Sequence, residues 1–231
     1  DALRSQFDAE LAARGHDWNP AIAAVGAIPS SISNRVAQVF GAGGFNMTLD
    51  AACASSFVAL DVACQALDAG DTRLAIAGGA DLGTNPAIYI GFSRVEGLST
   101  SGTSNPFDHS ADGLVIGEGV GIVILKRLED ALADGDRVRA VVRGIGTSSD
   151  GHGQAIYTPS ASGRSKALWA ALKNAELQPR DIQYLEAHAT STVVGDANEY
   201  DAISKVYGGD RGDRGPLLLG SVKQQIGHLK A

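Results

Sequence analysis

The chain has 231 residues, a net charge of −7 and a sequence pI near 5.1, and it shows no Lys/Arg cluster, which argues against a nucleic-acid partner. A hydrophobic fraction of 44% against 19% charged suits a packed globule with a substantial core rather than a disordered chain. No run approaches the roughly 18 apolar residues of a membrane span, and the mixed-charge, amphipathic start is not a secretory signal.

In chain order, "DALRSQFDAELAARG" predicts a surface helix over 1–17. "SSISNRVAQVF" predicts a short helix over 30–40, with Ser or Asn as N-cap. "GAGG" (41–44) turns the chain into a short strand over 45–50. Residues 54–69 predict a helix apolar almost all round, as in a buried helix. The continuous apolar run "RLAIAGGADL" predicts a strand covered on both faces. Residues 84–118 read mostly as loop, and "GVGIVILKRL" and "VRAVVRGIGTSS" as strands flanking the solvated "EDALADGDR". A helix over "RSKALWAALKNAEL", a strand over "IQYLEA", a helix over 196–207 and a strand over "PLLLGSV" complete the order. This alternation predicts an α/β class with sheets between helix layers. The chain lacks an initiator Met and stops at "IGHLKA", so both ends read as cut from a longer polypeptide.

Two cysteines, Cys53 and Cys64, stand at the start of and inside one predicted helix. Eleven residues apart on a helix, they stand about 16 Å from each other at roughly 1.5 Å per residue. A disulfide needs Cα atoms within roughly 7 Å, so a reducing, cytoplasmic setting follows. Cys53 sits in the small-residue turn "AAC", where a strand ends and a helix begins, in the manner of a nucleophile elbow. The N–H groups and positive dipole end of that helix favour a thiolate and offer donors to an oxyanion. Cys64, deeper in the helix, reads as core.

Five histidines could serve as a partner. His16, His109 and His152 lie in polar loops and read as solvated. His188 and His228 each follow directly on a strand, as Cys53 does, and in α/β sheets the crevice beyond the strand ends is where sites form. "GAGG" and the "GEGVG" of 117–121 lack the strand–turn–helix context of a dinucleotide fingerprint and read as turns. No spacing suggests a metal site.

The motifs around these residues resemble one family. "LDAACASSFVAL" looks like the nucleophile motif of β-ketoacyl synthase (ketosynthase) domains, "EAHATSTVVGDANE" is similar to the family's first histidine segment, and "GSVKQQIGH" to its second. "PFDHSADGLVIGEG" matches a further segment in the same order. The "DAACASS" form with "SSDG" at 148–151 is most similar to ketosynthases of polyunsaturated fatty acid synthases, with enediyne polyketide synthases next; modular polyketide ketosynthases more often carry Thr at the position of Ala51.

The resemblance implies a thiolase-like, layered αβαβα fold, incomplete at both ends, and decarboxylative condensation. The chain would be the central part of one ketosynthase domain, with 1–130 the nucleophile-bearing half and 131–231 the start of the histidine-bearing half. Cys53 would accept an acyl group from a phosphopantetheine thioester, while His188 and His228 stabilise the enolate left when malonyl loses CO₂. Thr190 and Thr192 would contact the pantetheine arm. Lys223 would have an ion-pair and orienting role near the second histidine, with Glu118 as a buried structural partner for Lys223 or for a loop. Asp196 and Glu199 match the family's "GD..E", yet their spacing reads as a capping box at a helix start.

No metal or redox cofactor is implied. Phosphopantetheine arrives on an acyl carrier protein, malonyl and acyl thioesters are the substrates, and a homodimer is expected. The chain departs from the pattern at Ala189 and Ser191, where the family has Gly, and at Gln225, where it has Asn. Ala and Ser strain the loop if it needs positive φ. The family's first strand and its "GFGG" loop do not occur, so the fragment alone is expected to expose apolar edges and be inactive. The alternatives are a non-catalytic, scaffold or chain-length member of the fold and a Cys–His hydrolase.

Overall fold

The computed structural model describes residues 28–83, 85–152 and 159–230, together with residues 5, 6, 9, 12, 13, 25 and 26. His16 and most of the helix expected over 1–17 lie outside them. The chain forms two compact units, residues 1–50 and residues 51–231.

In the first unit, helix α1 spans Ser30–Phe40. Its N-cap is Pro29, and no side chain caps it, so the expected Ser or Asn cap is not used. It stops at Gly41, whose φ of 63° allows Ala42 and Gly41 to return N–H bonds to Ala37 and Gln38, a Schellman ending. Thr48 Oγ1 donates to the Pro29 carbonyl at 2.8 Å, and Ser33 Oγ donates to Asn46 Oδ1 at 3.1 Å. These bonds tie residues 45–50 back to the helix start. The predicted strand over 45–50 pairs with no other strand among the described residues. Side-chain hydroxyls hold this segment instead of a ladder.

The second unit carries the remaining elements: α2 (Ser55–Asp68), β1 (Ala75–Asp81), α3 (Pro86–Arg94), β2 (Gly119–Leu125), α4 (Leu128–Ala133), α5 (Ala161–Ala175), β3 (Tyr184–Glu186), α6 (Val193–Tyr207), β4 (Leu218–Gly220) and α7 (Lys223–Ile226). β1 and β2 pair antiparallel, from Ala75 opposite Leu125 to Asp81 opposite Gly119. β3 and β4 pair parallel, from Tyr184 opposite Leu218 to Glu186 opposite Gly220. Helix α2 packs on β1, and α5 packs on α6. Arg127 clasps the first group: its guanidinium donates to the Leu67 carbonyl at 2.6 Å and pairs with Asp130 at 2.6 Å. In the acidic turn "ADGD", Asp134 and Asp136 both hold Lys126, so these residues are less free than a solvated turn.

The main core lies between α5, α6 and β3. Leu172, Ala187, Ala189, Ile203, Val206 and Tyr207 are buried together, and each large apolar side chain there contributes roughly 1.5–3 kcal/mol. Ala187 and Ala189 flank His188, so the core anchors the backbone on both sides of that histidine.

Several expectations are corrected here. The "loop" over 84–118 contains α3, with Asn85 Oδ1 accepting the Ala87 N–H and Pro86 in the first helical turn, a start signal present in the sequence. The predicted strand over 138–149 pairs with no strand among the described residues. It lies beside α5, where Asn174 Nδ2 donates to the Ile145 carbonyl at 2.8 Å. Alternating apolar residues specify faces, not a pairing partner. Helix α2 buries only Ala63, Ala66 and Leu67, with Phe57 65% exposed, and Cys64 is partly buried rather than core. In β1 only Ala77 is buried, and Val120, Ile122 and Ile124 of β2 are exposed. A two-stranded sheet with a helix against β1 cannot cover both faces.

Candidate active site

The second unit brings a sulfur and two imidazoles together. Cys53 lies in the turn just before α2, preceded by Ala52 at φ 50°. A left-handed alanine is strained by about 1–2 kcal/mol. The turn is held by Ser55, whose Oγ donates to the Ala52 carbonyl at 2.6 Å and accepts the Ala51 N–H at 3.0 Å. Of the expected elbow, the turn and the helix after it are present, the turn strained and braced by a side chain, but no strand leads into it among the described residues.

His228 follows β4 and the single turn of α7. Its backbone is zipped to residues 115–117, the His228 N–H donating to the Val115 carbonyl at 2.8 Å and the Gly117 N–H to the His228 carbonyl at 3.0 Å. Its Nε2 stands 3.1 Å from Cys53 Sγ. The Lys230 N–H donates to Nδ1 at 3.1 Å, so Nδ1 is an acceptor and the neutral ring carries its proton on Nε2. Nε2–H therefore faces the sulfur as a donor. In this tautomer His228 cannot take the thiol proton, which argues against a Cys–His hydrolase pair.

His188 follows β3. Its ring stands edge-on to that of His228, with centroids 5.3 Å apart and an interplanar angle of 88°. Its loop is clamped by Glu199, which accepts the His188 N–H at 2.8 Å and the Ala189 N–H at 2.6 Å and pairs with Arg164 at 3.2 Å. The capping-box reading of Asp196 and Glu199 is thus wrong. Thr192 is the N-cap of α6 and makes no side-chain cap bond. Asp196 instead accepts the Phe107 N–H at 2.8 Å. Both carboxylates serve distant backbone because the loop before α6 folds back over the helix start, which the one-dimensional spacing does not show.

Burial pushes the pKa of His188 down to about 4, helped by Lys223 and Arg164. His228 is likewise lowered to about 4 by burial, then by His188, Lys223 and Lys230, with Asp81 opposing. Both rings are neutral at pH 7. The Cys53 thiol is pushed up by burial, against the pull of its own backbone N–H, Lys223 and Lys230. The helix mouth does not hold a resting thiolate, contrary to expectation; desolvation outweighs it.

Sγ of Cys53 and a ring nitrogen from each histidine lie within 4.8 Å of one another, a donor set that zinc accepts. Coordination through Nε2 of His228 would put its proton on Nδ1, against the Lys230 N–H. The hydrogen bonding is that of a proton donor, not a ligand.

The family description "Beta-ketoacyl synthase, N-terminal domain" matches residues 5–131, and "Beta-ketoacyl synthase, C-terminal domain" matches residues 139–231. The chain belongs to the β-ketoacyl synthase family. It is 43% identical, over 97% of its length, to a PKS-NRPS hybrid synthetase of Aspergillus niger, of which that stretch is 12%. It is 44% identical over 89% of its length to a phenolphthiocerol/phthiocerol polyketide synthase of Mycobacterium tuberculosis, covering 11% of it. An oxazolomycin ketosynthase domain of Streptomyces albus superposes with a TM-score of 0.85 at 37% identity, over 95% of this chain and 37% of that one. The ketosynthase from module 6 of the bacillaene synthase of Bacillus subtilis gives 0.83 at 33% identity, over 87% and 36%. The fold is accordingly the thiolase-like α/β fold of ketosynthases, of which this chain spans a little over a third of the solved domains.

The ketosynthase pattern explains the two strained residues beside His188. Ala189 and Ser191, standing where the family has Gly, keep positive φ values of 26° and 64°. Ser191 is fully buried and offsets its strain: its Oγ accepts the Asn105 N–H at 2.9 Å and its carbonyl accepts the Gly113 N–H at 2.8 Å. Thr190 Oγ1 and Thr192 Oγ1 pair with each other at 3.1 Å. Gln225, the third departure, is exposed.

Lys223 and Glu118 form no ion pair, and Glu118 is exposed, its side chain lying against Gly83. This corrects the expected Lys223–Glu118 partnership. α7 presents Lys223 toward the histidines, where it acts through its charge. Sequence reasoning also missed Asp112, whose carboxylate gathers Ser99, Thr100 and Ser101 and is held far below the usual carboxylate range by the Ser99 hydroxyl and the Ser101 N–H. The Ser/Thr-rich "STS" facing "ADG" was the available signal.

The glycines of "GEG" are not turn residues. A Cβ on Gly117 would stand 2.2 Å from the Ile226 carbonyl oxygen, so only glycine lets the His228 loop lie this close. Gly117→Ala is expected to push residues 226–228 away and lower the rate of any reaction using His228 by about 100-fold; a kcat unchanged from wild type would contradict this placement.

The neutral histidines also set a pH dependence. Between pH 6.5 and about 4 the unfolded chain binds protons that the folded site refuses. Stability is therefore highest above pH 6.5 and declines as pH falls through this window. Urea midpoints measured at pH 7 and pH 5 should fall with acidity, and His188→Asn should flatten the decline.

Proposed function

We propose that this chain supplies the nucleophile and both histidines of a condensing domain that joins a Cys53-bound acyl group to a malonyl unit, releasing CO₂. The observation that carries the reading is the Nε2–H of His228, 3.1 Å from Sγ and fixed in that tautomer by Lys230, beside the neutral ring of His188.

Sγ of Cys53 attacks the carbonyl of an acyl thioester. A C–S bond forms to Cys53, the C–S bond to the carrier breaks, and the thiol proton ends on the departing pantetheine sulfur. Malonyl thioester then binds with its thioester oxygen against His188 and His228. Cleavage of the bond to the carboxylate frees CO₂ and leaves the electron pair as an enolate, which two N–H donors in a buried site stabilise. Its carbon attacks the acyl-cysteine, forming the new C–C bond and breaking the C–S bond to Cys53, whose sulfur leaves as thiolate and takes a proton from solvent. Neutral imidazoles suit this step, because each offers a proton without surrendering it. Two stages replace one difficult displacement.

In this reading Thr190 and Thr192 face the pantetheine arm, and Lys223 biases the site by charge. The acyl and malonyl groups arrive on phosphopantetheine of an acyl carrier protein, within a homodimeric synthase of the cytoplasm. The condensing domain divides near residue 130, where the two family matches also part. "DAACASS" with Ala51 and "SSDG" support placement beside polyunsaturated fatty acid and enediyne synthases within the wider polyketide group.

The experiment supplies acyl-carrier and malonyl-carrier thioesters to the intact protein carrying this chain and follows CO₂ release and β-ketoacyl product. Both are expected, and iodoacetamide should label Cys53 at least about tenfold faster than Cys64. The Cys53 residue reaches solvent, and Lys223 and Lys230 draw its thiol toward ionisation against the partial burial of the sulfur, while Asp61 and Asp68 oppose ionisation of Cys64. Equal, sluggish labelling with no CO₂ would overturn the reading in favour of a scaffold.

A further inference from the structure

Lys230 takes no part in the steps above, yet it is built into the site. Its φ is 68°, a left-handed conformation that non-glycine residues avoid. Its side chain turns inward and is 9% exposed, with Nζ 3.3 Å from Asp81 Oδ1 and 3.3 Å from the Gly117 carbonyl oxygen. A lysine is almost never this buried unless paired. Asp81, itself 19% exposed, ends β1, so the ion pair links the sheet to the His228 loop.

We propose that the buried Lys230–Asp81 pair is a positioning device: it holds residue 230 in its left-handed conformation, so that the Lys230 N–H stays on His228 Nδ1 and the ring proton stays on Nε2, toward Cys53. The anchoring geometry stands by itself, while its catalytic meaning rests on the proposed function. Without the ammonium anchored on Asp81 and Gly117, the left-handed conformation at position 230 loses its side-chain support, and relaxation to negative φ would swing the N–H away from the imidazole. The ring then loses both its fixed tautomer and the contact that sets its plane.

The charged and titratable groups facing His228 are Cys53 before α2, Asp81 on β1, His188 after β3, Lys223 on α7 and Lys230 itself. Removing the Lys230 charge takes away one of the cations that keep the ring neutral. The acid limb of the rate profile should then move toward neutral pH.

The test uses the intact protein carrying this chain and three variants, Lys230→Met, Lys230→Arg and Asp81→Asn/Lys230→Met. Lys230→Met leaves Asp81 buried and unpaired and should lower both Tm and the kcat for malonyl decarboxylation. The double variant removes that unpaired charge. Its Tm should recover, while kcat stays at least about tenfold low with KM within twofold; the acid limb should move part-way back, because the opposing charge of Asp81 is gone as well. Lys230→Arg should keep most of the rate. Recovery of kcat together with Tm in the double variant would show the pair to be structural only and overturn the proposal. Where the double variant does not fold, Asp81→Asn carries the same comparison. Absence of decarboxylation in the wild-type protein would instead sink the proposed function, so the two failures are distinguishable.

Discussion

Cys53→Ala should abolish acyl loading and condensation, by at least roughly 10³-fold, while leaving malonyl decarboxylation within a few-fold of wild type. The split follows from where the reacting bonds lie. Acyl transfer and C–C bond formation both need a sulfur to carry the acyl group, and Cys64 sits elsewhere on α2 among carboxylates. Loss of CO₂ needs only the two N–H donors, which hang from other elements: His228 on the 115–117 segment and His188 on the Glu199 clamp. Removing one exposed sulfur disturbs neither. Radiolabelled acyl transfer, product formation and CO₂ release measured on the same preparation check this. Condensation surviving the substitution, or all three activities falling together in a folded protein, would contradict the assignment of Cys53.

The second large effect is expected at Glu199. Its carboxylate accepts the N–H groups of His188 and Ala189 and pairs with Arg164, so it serves two backbone donors and a guanidinium at once. Glu199→Gln keeps the shape but turns one oxygen into an NH₂ that faces a donor, and it leaves Arg164 uncompensated. The cost should be about 3 kcal/mol, in the range for breaking a partly buried, charge-assisted pair. The loop bearing His188 loses its fixed position, and decarboxylation should fall roughly 100-fold. Acyl loading on Cys53 should change little, because the elbow does not lean on this loop. Thermal unfolding with both half-reactions decides the point; a loading rate that falls as far as decarboxylation would mean general unfolding rather than loss of a clamp.

Together the two substitutions separate the nucleophile from the donors. The Cys53 change removes a stage of the reaction and spares the scaffold. The Glu199 change spares the nucleophile and loosens a donor. The neutral state of both histidines, each held near pKa 4, fits donors better than bases. With the Cys53 thiol pushed up, the proposed loading step would start from a protonated sulfur and pass its proton to the leaving group.

Much of the site was legible in the sequence because its signals are local. A cysteine in a small-residue turn ahead of a helix, and histidines a few residues beyond apolar strands, are short-range patterns; they separated Cys53 from Cys64, and His188 and His228 from the other three histidines, although a turn of helix stands between β4 and His228. The α/β class followed from the same alternation. Local signals also misled. The spacing of Asp196 and Glu199 suits a capping box, but both carboxylates reach across to backbone brought near by the fold. The valine-rich run over 138–149 looks like a strand, but alternation reports which side chains share a face and not whether a neighbour lies alongside.

What the amino-acid order determined by itself was therefore which side chains are candidates for the site and the family they resemble, since these depend on residue type and near neighbours. Tertiary structure alone decided how those groups are held: which ring nitrogen carries the proton, which carboxylate braces which loop, that Gly117 must lack a side chain, and that Lys230 finds Asp81 rather than Lys223 finding Glu118. Each of these is a contact between residues distant in the chain, and such contacts exist only once the elements have packed.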